Sequence, residues 1–305
     1  MLLLTAGCAP LAEIPLPTGD QLAQLVSDVA FRRQYTCEEL AHLYGVAYLP
    51  VVETPDELGL DYEEHWLPTA GGDVLRLWYL PTSLDRGTVV LSQGSVGVLP
   101  CYLFHARMLA DNGWSVVMYE YRGFGLSTGQ ADVSTLSGDL STVLDWTLAR
   151  TGREHVTLMG ISIGTIPSMA VAVERPGQVN GLVLDSPVAL GAMIEPLEPI
   201  LGDMTRELID RLAPELVLET LVPQLGQPLL ILVGGDDTLT TPAAAQRLYD
   251  LAPGQRRLVV FPGADHVREA FRDTGAYTYN VERFLSSVWS QYVPFELQTG
   301  SAASD

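Results

Sequence analysis

From about residue 88 onward the hydrophobic positions fall into short unbroken runs. Each run is followed by a stretch in which apolar residues recur at three- and four-residue spacing. Thr88–Ser92 leads into Leu103–Asn112, and Ser115–Tyr119 into Leu136–Arg150, where Leu136, Leu140, Val143, Leu144 and Leu148 share a face. Val156–Met159 leads into Ile163–Glu174, with Gly181–Leu184 after it. Leu229–Val233 then precedes Pro242–Leu251, and Arg257–Phe261 precedes Val267–Tyr292. Continuous apolar strands alternating with helices predict an α/β fold with a mostly parallel sheet covered by helices on both faces. Upstream, His65-Trp66-Leu67 and Val74–Leu80 flank the turn residues Thr69–Asp73, as in a hairpin. Residues 19–45 carry helical spacing (Leu22, Leu25, Val26, Val29, then Leu40 and Leu43) and read as a helical N-terminal arm.

This pattern divides the chain into a leader and tether at 1–18, the arm at 19–60, one α/β domain at 61–292, and a tail at 293–305. A helical insertion at about 187–226 interrupts the alternation. The uncharged stretch from Val156 to Val173 superficially resembles a membrane span. Its glycines, serines and Pro167 read better as a strand turning sharply into a helix.

Composition removes several function classes. The 305 residues carry 17 basic against 37 acidic side chains, a net charge of −20, and every basic residue is arginine. A chain this acidic repels a phosphate backbone, so nucleic acid is not an expected partner. Without lysine, neither a Schiff base nor a P-loop is available. Of the three cysteines, Cys8, Cys37 and Cys101, none forms a CxxC pair, and no metal site is expected. Buried free thiols are the expectation for Cys37 and Cys101, with a bridge between them as the alternative in an oxidising compartment. Leu4-Thr5-Ala6-Gly7-Cys8 resembles the end of a bacterial lipoprotein signal, though no basic residue precedes it. Cys8 is therefore the lipidation candidate, and it carries the only membrane association expected. The cell envelope is the expected location, with the cytoplasm as the alternative.

Candidate chemistry centres on Gly160-Ile161-Ser162-Ile163-Gly164, a GxSxG motif between a strand and a helix. A serine on so tight a turn projects its hydroxyl from the sheet's carboxyl edge, and the following helix N-terminus offers free N–H groups to an oxyanion. The nucleophile needs a base, and five histidines are available. His155 begins the strand leading to Ser162 and so lies at the wrong end of the sheet. His42 and His65 precede the α/β alternation, and His105 reads as a helix-surface residue. His266 follows the last strand on a loop at its carboxyl end, where sites in such sheets lie. The acid that orients His266 is Asp236 or Asp237, after Leu229–Val233, or else Asp185 at the end of the preceding strand.

The chain resembles the α/β-hydrolases, and the Bem46-like serine hydrolases in particular. The resemblance rests on the order Ser162, Asp237, His266 and on the runs Pro55–Glu64, Gly72-Asp73, Tyr121–Gly129 and Gly263-Ala264-Asp265-His266. It covers about residues 55–290. It implies Asp237 as the acid, the backbone N–H groups of Ser95 and Ile163 as oxyanion donors, and Arg122 as a brace for its own loop. Where the family has His-Gly after the third strand, this chain has Gln93-Gly94. The activity implied is hydrolysis of a carboxylic ester, including thioesters and lipid esters, through an acyl-enzyme and without a cofactor. An acyltransferase on the same residues, an amide hydrolase and a non-catalytic binding protein are the alternatives. In the insertion, Ile200, Leu201, Met204, Leu208, Ile209 and Leu212 form one apolar stripe, which either packs on the domain core or roofs an acyl pocket above Ser162, the second reading making Met204 and Leu208 the substrate-pocket candidates. A lid of about 40 residues covers little area, so short to medium acyl chains are expected.

Overall fold

The computed structural model describes residues 16–32, 34–44, 52–195 and 198–290. Cys8 and the tail at 293–305 lie outside the described residues. Eight strands form one sheet: β1 (Glu63–Pro68), β2 (Val74–Leu80), β3 (Thr88–Ser92), β4 (Ser115–Tyr119), β5 (Val156–Ile161), β6 (Val179–Asp185), β7 (Leu229–Gly234) and β8 (Arg256–Phe261). Their order is β1-β2-β4-β3-β5-β6-β7-β8. The first two strands make the expected antiparallel hairpin, β2 runs antiparallel to β4, and every pairing from β4 to β8 is parallel.

Strands β3 to β7 are buried at every position, which is why their sequences read as unbroken apolar runs rather than alternating ones. Successive residues feed two separate cores. Val90 and Leu77 pack on one face with α4 (Leu136–Thr151), α5 (Thr165–Glu174) and α10 (Pro242–Leu251). Val89, Leu91 and Trp78 pack on the other with α3 (Leu103–Asp111) and α12 (Thr274–Ser290). The shared strand direction brings the loops after β3, β5, β7 and β8 to one edge, and each carries a candidate site residue.

The N-terminal arm is two helices, α1 (Gly19–Ala30) and α2 (Cys37–Tyr44). Thr18 opens α1 with a capping box shared with Gln21. The arm folds back on the domain. The Val133 N–H donates to Ser27 Oγ at 3.0 Å, Phe31 meets Phe124 edge-on at 5.3 Å, and Arg211 donates to the carbonyls of Leu16 and Pro17 at 3.2 and 3.1 Å. A disulfide joins Cys37 to Cys101. The expectation of free thiols is thus corrected: the folded-back arm brings the two Cα atoms to 4.9 Å across a sequence separation of 64.

Two other expectations are adjusted. The closing helical region is split at Asp273, whose backbone (φ −144°, ψ 79°) is not helical, into α11 (Glu269–Arg272) and α12. The insertion breaks into α6 (Leu190–Ile194), α7 (Glu198–Leu201), α8 (Met204–Arg211) and α9 (Leu218–Leu221). Its stripe is interrupted at Gly202, whose φ of +55° ends α7, so Ile200 is left 69% exposed while Leu212 is buried. The stretch from Val156 to Val173 is β5 turning into α5, and no described helix is long and apolar enough to cross a membrane.

Candidate active site

Ser162 sits on the turn from β5 to α5 with φ +51°, a left-handed conformation that a non-glycine residue holds only under local constraint. The flanking glycines explain how the turn closes. A Cβ on Gly160 would stand 2.3 Å from the Gly164 carbonyl oxygen, and one on Gly164 would stand 2.3 Å from the Ser92 carbonyl oxygen. Any side chain at either position would push the turn off the sheet.

The loop after β8 brings His266 to this serine. Ser162 Oγ lies 2.9 Å from His266 Nε2, and His266 Nδ1 lies 2.8 Å from Asp237 Oδ2. Asp237 is buried and heavily bonded. Its Oδ1 accepts the Leu239 and Thr240 N–H groups, both at 2.8 Å, and its Oδ2 accepts the Thr240 hydroxyl at 2.6 Å. Burial alone would raise the Asp237 pKa, but the hydrogen bond and charge of His266, with those from Thr240, outweigh it and hold the carboxylate below its ordinary value.

The three aspartates left open by the sequence are now told apart. Asp236 is exposed, and its backbone N–H donates to the Ala264 carbonyl at 2.9 Å. Asp185 is buried behind the site, where its Oδ2 accepts the Tyr277 hydroxyl at 2.5 Å. Burial, with the charge of Glu269, pushes the Asp185 pKa well above its usual range, the opposite of what an ionised orienting group requires. Only Asp237 faces the histidine ring.

Ser95 and Ile163 border the same cavity as Ser162. The Ile163 N–H lies in the first turn after the elbow, where no intrahelical acceptor exists. A Cβ on Gly94 would stand 3.6 Å from Ser162 Cβ, so the loop leading to Ser95 passes directly against the serine. Gln93 is buried beside it with both amide atoms unpartnered among the described residues, while its carbonyl accepts the Tyr121 hydroxyl at 2.8 Å. Arg122 donates to Asp139 from its backbone at 3.1 Å and from Nε at 2.8 Å, the contacts of a residue that braces its loop.

Two cavities meet at Ser162. The larger, about 900 Å³, is walled by apolar side chains of α1 (Leu22, Val26, Val29) on one side and of the insertion (Met193, Ile194, Leu208) on the other. Of the two candidates in the insertion, Leu208 lies along this cavity, with Leu212, and Met204, at the start of α8, is not among the residues that line it. The contribution of α1 is the feature that sequence reasoning missed. Its apolar spacing was visible, but not the element it faces. The smaller cavity, about 200 Å³, lies beside His266 and is bordered by His105 and the Cys37–Cys101 bridge. His105 is not on the surface as expected. It is 2% exposed, and burial lowers its pKa to about 4. The face of α3 that packs on the sheet is broad and takes His105 with Leu103, Ala106, Met108 and Leu109.

Comparison with known proteins agrees with this architecture. A family model described as serine aminopeptidase, S33, matches residues 84–222. Human protein ABHD12B is 33% identical over 203 residues, which is 60% of this chain but only 56% of that protein's length. The uncharacterized protein Rv2307c of Mycobacterium tuberculosis is 29% identical over 224 residues, 70% of this chain and 76% of that one. Among solved structures, the Pyrococcus furiosus esterase Pf2001 superposes with a TM-score of 0.65 at 20% identity, over 78% of this chain and 95% of that one. ABHD-type relatives are consistent with the Bem46-like resemblance. Its sheet order and these likenesses together show that the chain has the α/β-hydrolase fold.

Proposed function

We propose that this protein hydrolyses carboxylic esters through an acyl-enzyme on Ser162. The observation that carries the reading is the continuous path from Ser162 Oγ to His266 Nε2 at 2.9 Å and from His266 Nδ1 to Asp237 Oδ2 at 2.8 Å. In the proposed reaction Ser162 Oγ attacks the ester carbonyl carbon as His266 Nε2 takes the hydroxyl proton. The imidazolium that forms is stabilised by Asp237, whose carboxylate is already held ionised by its neighbours. The N–H groups of Ser95 and Ile163 receive the negative charge on the carbonyl oxygen, each worth about 10²–10³ in rate by analogy with other such donors. His266 then returns the proton to the alcohol oxygen as the C–O bond breaks. Water, activated by the same histidine, releases the acid.

The apolar walls of the larger cavity suit an acyl chain, and esterase Pf2001 is a structural neighbour. The family model's description favours a second reading, hydrolysis of an amide at the same serine. The deciding experiment labels the protein with a fluorophosphonate probe, then compares p-nitrophenyl esters with matched aminoacyl p-nitroanilides. Labelling lost in Ser162→Ala, with turnover of esters, is the expected result. Turnover of the anilides alone would move the assignment to amide chemistry. A serine that resists the probe would end the catalytic reading.

A further inference from the structure

Among the described residues four that are not glycine hold a positive φ, and three of them surround the candidate active site: Ser162 at +51°, Ser186 at +50° and Val267 at +57°. Backbone strain of this kind persists only where neighbouring contacts enforce it. For Ser162 the constraint comes from the elbow and its glycines. Val267 is the least expected of the three, because a β-branched side chain is poorly tolerated in the left-handed region. It directly follows His266, so its φ sets how the chain leaves the histidine.

The contact that holds Val267 comes from Ser186, the residue after β6. The Val267 N–H donates to Ser186 Oγ at 3.2 Å, and that hydroxyl donates in turn to Glu269 Oε1 at 2.8 Å. Ser186 and Glu269 are both fully buried. Ser186 is also fastened to the sheet, its own N–H donating to the Leu232 carbonyl of β7 at 2.9 Å. A rigid strand end thus grips the loop after β8 at two points, one on either side of Arg268.

We propose that Ser186 is a positioning residue: its hydroxyl, clamped between Glu269 and the Val267 N–H, fixes the backbone of His266 for proton delivery to the leaving group. This rests on the acyl transfer at Ser162 proposed above. Before attack the ring is held from two sides, by Asp237 at Nδ1 and by the Ser162 hydroxyl at Nε2. Once Oγ has bonded to the acyl carbon and given up its proton, the hold at Nε2 is gone. The imidazolium must then pass that proton to the departing oxygen, and its aim is left to Asp237 and to the backbone. With the Ser186 hydroxyl removed, Val267 is free to relax toward negative φ and carry His266 with it. The loss falls on proton return, so it is largest for a leaving group that cannot depart as an anion.

The test measures kcat/KM, per serine titrated with the fluorophosphonate, on ethyl butyrate and on p-nitrophenyl butyrate. A p-nitrophenolate departs unprotonated at neutral pH, whereas an ethoxide needs the proton. Ser186→Ala is expected to lower the ethyl ester about 10- to 100-fold, the cost of one strained residue expressed as a rate, and the p-nitrophenyl ester less than about fivefold. Ser186→Gly relieves the strain at position 186 while also lacking the hydroxyl, and it should lose the same selectivity. Val267→Asn in the Ser186→Ala background should recover most of the ethyl-ester rate, because asparagine enters the left-handed region more readily than valine. The ratio of the two esters is read within one preparation, so partial unfolding leaves it unchanged. Equal losses on both esters, full activity in Ser186→Gly, or no recovery with Val267→Asn would overturn the assignment while leaving hydrolysis at Ser162 intact. A wild-type protein that takes no fluorophosphonate, or cleaves neither ester, would remove the underlying reading and this one with it.

Discussion

Burial of His105 makes stability depend on pH in a way that can be worked out in advance. In the unfolded chain a histidine takes up its proton near pH 6.5, whereas in the folded protein this one does so only near pH 4. Between those values the unfolded state binds more protons, so stability falls as the solution is acidified. The gap from 6.5 to about 4 makes the loss about 2 kcal/mol between pH 7 and pH 5. Two buried acids nearby lean the other way. Asp185 and Glu269 have pKa values raised by burial, so the folded state holds their protons more tightly and they withdraw stability as pH rises above their ordinary carboxyl values. The histidine's share is isolated by difference. His105→Gln stays neutral throughout, so urea unfolding of wild type and variant at both pH values should differ by a ΔΔG that itself changes by about 2 kcal/mol. A ΔΔG equal at pH 7 and pH 5, within about 0.5 kcal/mol, would show that His105 protonates freely in the folded protein and that it is not buried as described.

Asp237→Asn should lower kcat by about 10⁴, because an amide favours the wrong imidazole tautomer, whereas exposed Asp236→Asn should cost less than about threefold. Steady-state rates on a p-nitrophenyl ester check both, and a larger loss at Asp236 would refute the assignment of the acid. With α1 as a second wall, kcat/KM should rise through p-nitrophenyl esters beyond the short acyl chains that the insertion alone would favour. Leu208→Asp should flatten that profile more than Met204→Asp, and an equal effect of the two would deny the cavity its role. Reduction of the Cys37–Cys101 bridge, or Cys101→Ser, should loosen the arm and lower the midpoint of thermal unfolding, by an amount of about 2–4 kcal/mol in stability terms. An unchanged midpoint would mean that non-covalent contacts alone seat the arm.

What could be read from the sequence depends on how local its cause is. The strand runs of β3 to β7 are continuous because both faces are covered, and the serine turn is written in five adjacent residues whose glycines have no room for a Cβ. His266 was identifiable because sheet direction alone puts its loop at the right edge. The acid stayed open among three aspartates, since only the spatial approach of the β7 and β8 loops decides which carboxylate meets the ring. The wall made by α1, the burial of His105 and the disulfide were hidden for a common reason. Each depends on which element a face meets, and an apolar stripe on α1 or α3 reads the same whether it covers a sheet, a lid or a cavity.

On the ester-hydrolase reading proposed above, the departing alcohol and the water that follows must each meet His266, which borders only the smaller of the two cavities at Ser162, so both use the histidine's side of the serine in succession. The order of events is then fixed by geometry: alcohol out, water in, acid out. While the alcohol lingers, it can re-esterify the acyl-enzyme, because reversal needs the same histidine and the same space. Any added alcohol small enough to enter competes with water there. On that reading the partition between hydrolysis and acyl transfer is set on the histidine's side of Ser162 rather than in the larger apolar cavity.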